Sequence, residues 1–108
     1  MKRGDIALVA GGTYSSKPRP ALVLQDDHFD ATDSVMVCPF TTAAVDAPML
    51  RLPVAADGTN GLSRDSWLMV DKLTTVRRSN TREVIGRLAD GQLTELERLL
   101  IVFLGLAR

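Results

Sequence analysis

Lys17-Pro18-Arg19-Pro20-Ala21-Leu22-Val23-Leu24 passes from a polar, proline-stiffened approach into an unbroken apolar run. The second half reads as a β-strand, and Pro20 fits a strand's first residue, where a missing N–H costs the ladder little. A second stretch, Val37-Cys38-Pro39-Phe40-Thr41-Thr42, ends an apolar strand on a pair of hydroxyls. If the two strands are neighbours, one guanidinium and one hydroxyl converge on a single anionic group.

Working outward, residues 4–10 read as a short apolar strand, and residues 11–18 as a loop, flexible by composition. Residues 21–25 form the second strand, 26–33 a polar turn, 34–40 the third strand and 50–54 the fourth. Asp57-Gly58-Thr59-Asn60-Gly61 is a strong turn signal. Residues 66–70 and 82–88 supply a fifth and a sixth strand. Ala21-Leu22-Val23-Leu24 and Val35-Met36-Val37-Cys38 are apolar almost throughout, which predicts strands covered on both faces. A helix on one side and a partner subunit on the other would cover them. Leu93, Leu96, Leu99, Leu100, Phe103 and Leu104 repeat at the helical period. Asp90 is the expected N-cap and Gly105 the stop. Ile101, Val102 and Leu106 carry apolar surface beyond one stripe, so extra burial is expected there. The pattern predicts a mainly β fold with a C-terminal helix: a small antiparallel barrel with the helix appended.

The chain of 108 residues suits a single domain, residues 1–108, with one modest core. Its 13 basic and 13 acidic residues cancel, so bulk attraction to nucleic acid or membrane is not implied, and a polyanion site has to be a local patch. The lone Cys38 lies in an apolar run and reads as a buried structural thiol. One His and one Cys argue against a protein-built zinc site, and no cofactor is expected. No apolar segment reaches the roughly 20 residues that span a bilayer, and no signal peptide is legible. A soluble cytoplasmic protein is the expectation.

Each chemically able residue carries two readings. Arg19 is either a surface cation paired with Asp26 or Asp27, or a phosphate clamp, since its fork of donors matches phosphate oxygens. Thr41 either caps a turn or donates to a phosphoryl oxygen. Asp71 ends an apolar strand as a structural cap or as a partner for Lys72 or Arg77. Thr74, Thr75, Arg77 and Arg78 form a local cluster that could track a phosphate backbone, or a solvated basic loop. Tyr14, on the flexible loop, can stack on a base or pack on the barrel. His28 reads as an exposed loop residue, and Trp67 as core.

The order Lys2-Arg3-Gly4-Asp5-Ile6, Pro18-Arg19-Pro20-Ala21-Leu22-Val23-Leu24, Pro39-Phe40-Thr41-Thr42, Gly61-Leu62, Met69-Val70-Asp71-Lys72-Leu73, Ile85-Gly86-Arg87-Leu88, Phe103-Leu104-Gly105-Leu106 resembles the MazF/PemK toxin family over nearly the whole chain. That resemblance implies an SH3-like barrel, a homodimer and metal-independent, sequence-specific cleavage of single-stranded RNA. It also implies a cognate antitoxin with an acidic C-terminal tail, the pair forming a DNA-binding complex. It places catalysis on Arg19 and Thr41, with Asp71 as the carboxylate some members use. Tyr14, Lys17, His28, Thr42, Lys72, Thr74 and Arg77 become candidate RNA contacts. Met69 stands where some members have an arginine, and Lys72 where many have a glutamine. The implied reaction is attack of the substrate's own 2′-hydroxyl on the adjacent phosphate, giving 2′,3′-cyclic phosphate and 5′-hydroxyl ends. Two rivals remain on sequence alone: a CcdB-like gyrase poison and a non-catalytic SH3-like interaction module. Neither needs an RNA clamp.

Overall fold

The computed structural model describes residues 1–12 and 14–106. Its strands are β1 (Asp5–Gly11), β2 (Ser15–Val23), β3 (Ser34–Thr41), β4 (Arg51–Val54), β5 (Ser66–Met69), β6 (Thr74–Arg77) and β7 (Thr81–Arg87), followed by the helix α1 (Asp90–Phe103). All ladders are antiparallel, in the spatial order β4-β5-β3-β2-β1-β7, with β6 also on β3. β3 is the pivot. Its start, Ser34 to Val37, pairs with β6, and its end, Phe40 and Thr41, pairs with β5.

The sheet curls as a small barrel does but is not closed. β4 and β7 stand at opposite ends of the strand order. The turn after β4 bridges them instead: the Arg87 N–H donates to the Thr59 carbonyl at 3.1 Å. Two glycines make that approach possible. A Cβ at Gly61, whose φ is +70°, would lie 2.0 Å from the Ile85 carbonyl oxygen, and one at Gly86 would lie 2.4 Å from the Asn60 carbonyl.

The apolar strands are buried on both faces, as their composition predicts, except at Met36 of β3, which is exposed. Leu22, Leu24, Cys38 and Phe40 point to one cluster, shared with Leu52, Leu68 and Leu96 of α1. Ala21, Val23, Val35 and Val37 point to the other. The second face needs no partner subunit to close it. Val76 of β6 and the ring of Tyr14 lie against it.

Two elements differ from the sequence reading. β2 begins at Ser15, inside the stretch expected to be a loop, because it pairs with β1 as far as Gly11↔Ser15. Pro18 and Pro20, two apart, present the same edge, and β3 joins β2 only from Ala21 onward. Their missing N–H groups therefore break no ladder. β6 falls where a basic loop was expected: only its Val76 is buried, so its apolar signal is a single residue. Trp67 is half-buried, since Ser66 and Leu68 take the inward positions of β5.

α1 starts with Asp90 as its first residue and Ala89 as N-cap, so Asp90 acts on the helix dipole rather than as a cap. The helix ends in a Schellman turn at Gly105, φ +71°, with Leu106 N–H on Ile101 O and Gly105 N–H on Val102 O. Leu96 is buried; Ile101, Val102, Phe103, Leu104 and Leu106 are exposed. The Lys2–Asp5 run is structural: Arg3 donates to Leu24 O and pairs with Glu97 of α1, fastening helix to sheet.

Candidate active site

The β2/β3 register runs Ala21↔Pro39, Leu22↔Cys38, Val23↔Val37. Beyond Ala21↔Pro39 this ladder stops and β3 pairs with β5 at Phe40 and Thr41, so no pairing sets Arg19 against Thr41. Pro39 and Phe40 share a cleft with Arg19, and Thr41 lines none with it. The Arg19 side chain is exposed, and neither Asp26 nor Asp27 claims it. Asp26 accepts from the His28 N–H and Asp27 from the Arg3 N–H. Among the described residues Arg19 has no ion pair. Thr41 is half-buried and its Oγ1 accepts from the Ala43 N–H at 3.1 Å.

Arg19 lines two clefts. The first, about 400 Å³, is formed with Tyr14, Phe40, Met69, Lys72 and Thr74. The second, about 570 Å³, includes Lys17, Thr42 and Arg64. A third, formed by Tyr14, Thr74, Arg77 and Asn80 among others, shares Tyr14 and Thr74 with the first. Together they make one furrow from Arg77 past Arg19 to Arg64. Among the described residues lining it there is no Asp or Glu. A chain of zero net charge thus concentrates cations along one surface line.

Tyr14 belongs to the β1–β2 turn and packs, partly buried, against the β6-side core. Burial, and then the neighbouring Cys38, push its phenol up to about 12, against the pull of Arg19. The hydroxyl therefore stays protonated and can donate. Burial also pushes the Cys38 thiol up to about 12, and its S–H points to the Met69 carbonyl, so it is no nucleophile.

Asp71 sits on the 3-10 turn Val70–Lys72 at the end of β5. Its carboxylate does not pair with Lys72 or Arg77. It binds Arg51, whose strand position faces Met69 across the β4/β5 ladder. That hydrogen bond, above all, holds the carboxyl below the usual aspartate value. The Arg51 side chain is only 11% exposed, and it also donates to the Leu50 carbonyl. The sequence carries no sign of this partner, because β4 supplies it from 20 residues away. The pair pins the turn that presents Lys72 to the first cleft.

His28 does not join the furrow. It is exposed on the 3-10 turn Asp27–Phe29, edge-on to the Phe29 ring. Arg78 turns away too, donating to the Thr32 carbonyl. Lys17, Thr42, Lys72, Thr74 and Arg77 all line the furrow. Arg64 lines it as well and was missed, because one arginine between Ser63 and Asp65 carries no local signal. Among the described residues no three His, Cys, Asp or Glu side chains group as a metal site needs.

A family model for the PemK-like, MazF-like toxin of type II toxin-antitoxin systems matches residues 2–104. The chain is 52% identical over 108 residues, 99% of both chains, to a protein of Mycolicibacterium smegmatis named probable endoribonuclease MazF. It superposes on the Mycobacterium tuberculosis toxin MazF-mt6 with a TM-score of 0.79 at 24% identity, over 94% of this chain and 96% of that one. An endoribonuclease in complex with its cognate antitoxin, from mycobacterial species, gives 0.81 at 18% identity, over 100% of this chain and 98% of that one. These two likenesses bear on the fold alone. With the curled sheet, its C-terminal helix and the Arg19 furrow, the family match and the full-length relative make this chain a member of the PemK/MazF family of type II toxins.

Proposed function

We propose that this toxin is an endoribonuclease that cuts single-stranded RNA at Arg19 in the furrow, with Thr41 as its assisting hydroxyl, using the substrate's 2′-hydroxyl as nucleophile. The endoribonuclease reading rests on the full-length relative of that name. One observation carries the location: on a neutral chain, a furrow that is carboxylate-free among the described residues has clefts that meet at an arginine with no ion pair among them.

The chemistry follows from what these side chains can do. The furrow aligns the ribose hydroxyl with the adjacent phosphorus, converting a slow reaction into a positioned one. The 2′-oxygen forms a bond to phosphorus as its proton passes to solvent water, and the bond to the 5′-oxygen breaks as that oxygen takes up a proton from water. Arg19, charged at every accessible pH, stabilises the added negative charge of the phosphorane. The Thr41 hydroxyl fixes a phosphoryl oxygen. The protonated Tyr14 phenol donates to the phosphate or presents its ring to a base. Asp71, engaged by Arg51, acts by holding the Lys72 turn in place. The products are a 2′,3′-cyclic phosphate and a 5′-hydroxyl, and the protein supplies neither a covalent intermediate nor a metal.

A type II toxin works against a protein antitoxin. Here an acidic antitoxin tail lies along the furrow, because it meets the same cations as an RNA backbone. The toxin pairs with a second copy through the exposed Ile101, Val102, Phe103, Leu104 and Leu106 at the end of α1, an apolar surface of the kind that marks an interface. Cleavage of mixed-sequence RNA in excess EDTA, with end mapping, tests the catalytic reading. Intact RNA, or 3′-hydroxyl products, defeats it.

A further inference from the structure

The mechanism above uses the furrow on one side of Arg19. The cleft on the other side, about 570 Å³, combines half-buried Leu8 and Ile85 with exposed Lys17, Thr42, Ser63 and Arg64. Its loop is built rather than loose. The Asn60 side chain, 2% exposed, accepts from the Asp57 and Leu62 N–H groups and donates to the Ala55 carbonyl. The Ser66 hydroxyl donates to the Arg64 carbonyl at 2.9 Å. The neighbouring Asp65 accepts from the Ala56 N–H at 2.8 Å. Among the described residues Arg64 has no ion pair. A cation is therefore presented from a fixed loop, beside apolar surface, with no carboxylate lining the cleft.

We infer that this cleft is a second nucleotide subsite, across the scissile phosphate from the Tyr14 cleft. Arg64 and Lys17 hold the next phosphate of a single-stranded RNA, and the base rests on Leu8 and Ile85. This rests on the ribonuclease reading above and adds the residues that engage the strand on the far side of the cut.

The test uses an uncleavable RNA, with hydrogen replacing the 2′-hydroxyls, bound to the full-length protein across a salt series. Arg64→Ala should weaken binding about tenfold, the lower end of what a hydrogen bond to a charged group contributes. The slope of log affinity against log salt should become shallower by about 0.7, the value for one phosphate contact on a single strand. Arg64→Lys should keep the slope. Arg82→Ala removes the same charge from β7 outside the furrow and should leave it unchanged. If Arg64→Ala binds with wild-type affinity and slope while the wild type binds normally, the subsite is wrong and the ribonuclease reading survives. An equal loss for Arg82→Ala means bulk charge and also overturns the subsite. A wild-type protein that binds no RNA overturns both.

Discussion

Arg19 has neither of the aspartate partners its sequence neighbourhood offers, and both carboxylates are engaged elsewhere. Removing a preorganised charge stabiliser typically lowers a rate by roughly 10²–10³. Arg19→Ala should therefore lose at least that much RNA cleavage, with an unchanged circular-dichroism spectrum. Arg19→Lys should recover little of it, because an ammonium lacks the planar fork. Asp71 behaves differently. Asp71→Asn leaves a mostly buried Arg51 without its charged partner, which should cost about 1–3 kcal/mol of stability at pH 7. The folded carboxyl titrates below its ordinary value, so its contribution is complete above about pH 4 and fades as pH falls through the depressed value. Urea midpoints for the two proteins should converge on acidification; a gap that stays constant down to pH 2 would show that the ion pair is not its source. Arg19 was legible as a cation at the mouth of an apolar strand because side-chain chemistry is local, whereas a meeting with Thr41 is not supplied by the β2/β3 ladder. Arg51 was not: its meeting with Asp71 exists only through the β4/β5 register.

At the scale of elements, the apolar strands and the helix were readable because burial on two faces leaves continuous apolar runs. β6 was not, since Thr74-Thr75-Val76-Arg77 buries one side chain and is held by its ladder to β3. The early start of β2 was hidden for a similar reason, prolines in a strand being tolerated only where an edge is free. The missing closure between β4 and β7 was likewise beyond composition. It depends on a turn whose glycines let two backbones touch. Gly61→Ala combines a left-handed φ with a Cβ placed on the Ile85 carbonyl, and should cost about 2–4 kcal/mol from conformational strain and overpacking together. Gly58→Ala, in the same turn with open space around it, serves as the comparison. Equal unfolding midpoints for the two variants would contradict the bridging role of that turn.

For the molecule as a whole, zero net charge hides a polarised surface. The apolar end of α1 should hold two copies together. Burying a stable interface takes about 800 Å² per partner, and light scattering at micromolar concentration should report twice the monomer mass. Phe103→Asp should shift the protein toward monomer, and a wild type that is monomeric at that concentration would remove the dimer. An acidic antitoxin tail lying in the furrow should weaken as salt rises, with a Debye length of about 8 Å at 0.15 M, and should compete with an uncleavable RNA. Simultaneous binding of both without mutual effect would place inhibition elsewhere. The central claim is that Arg19 drives attack by the RNA's own 2′-hydroxyl. Its most direct measurement is end mapping of a mixed-sequence RNA cut in excess EDTA by the wild type and by Arg19→Ala. The predicted result is 2′,3′-cyclic phosphate and 5′-hydroxyl ends from the wild type, and a rate at least roughly 10²-fold lower from the folded variant. Cleavage by Arg19→Ala at the wild-type rate, or 3′-hydroxyl products from either protein, would contradict it.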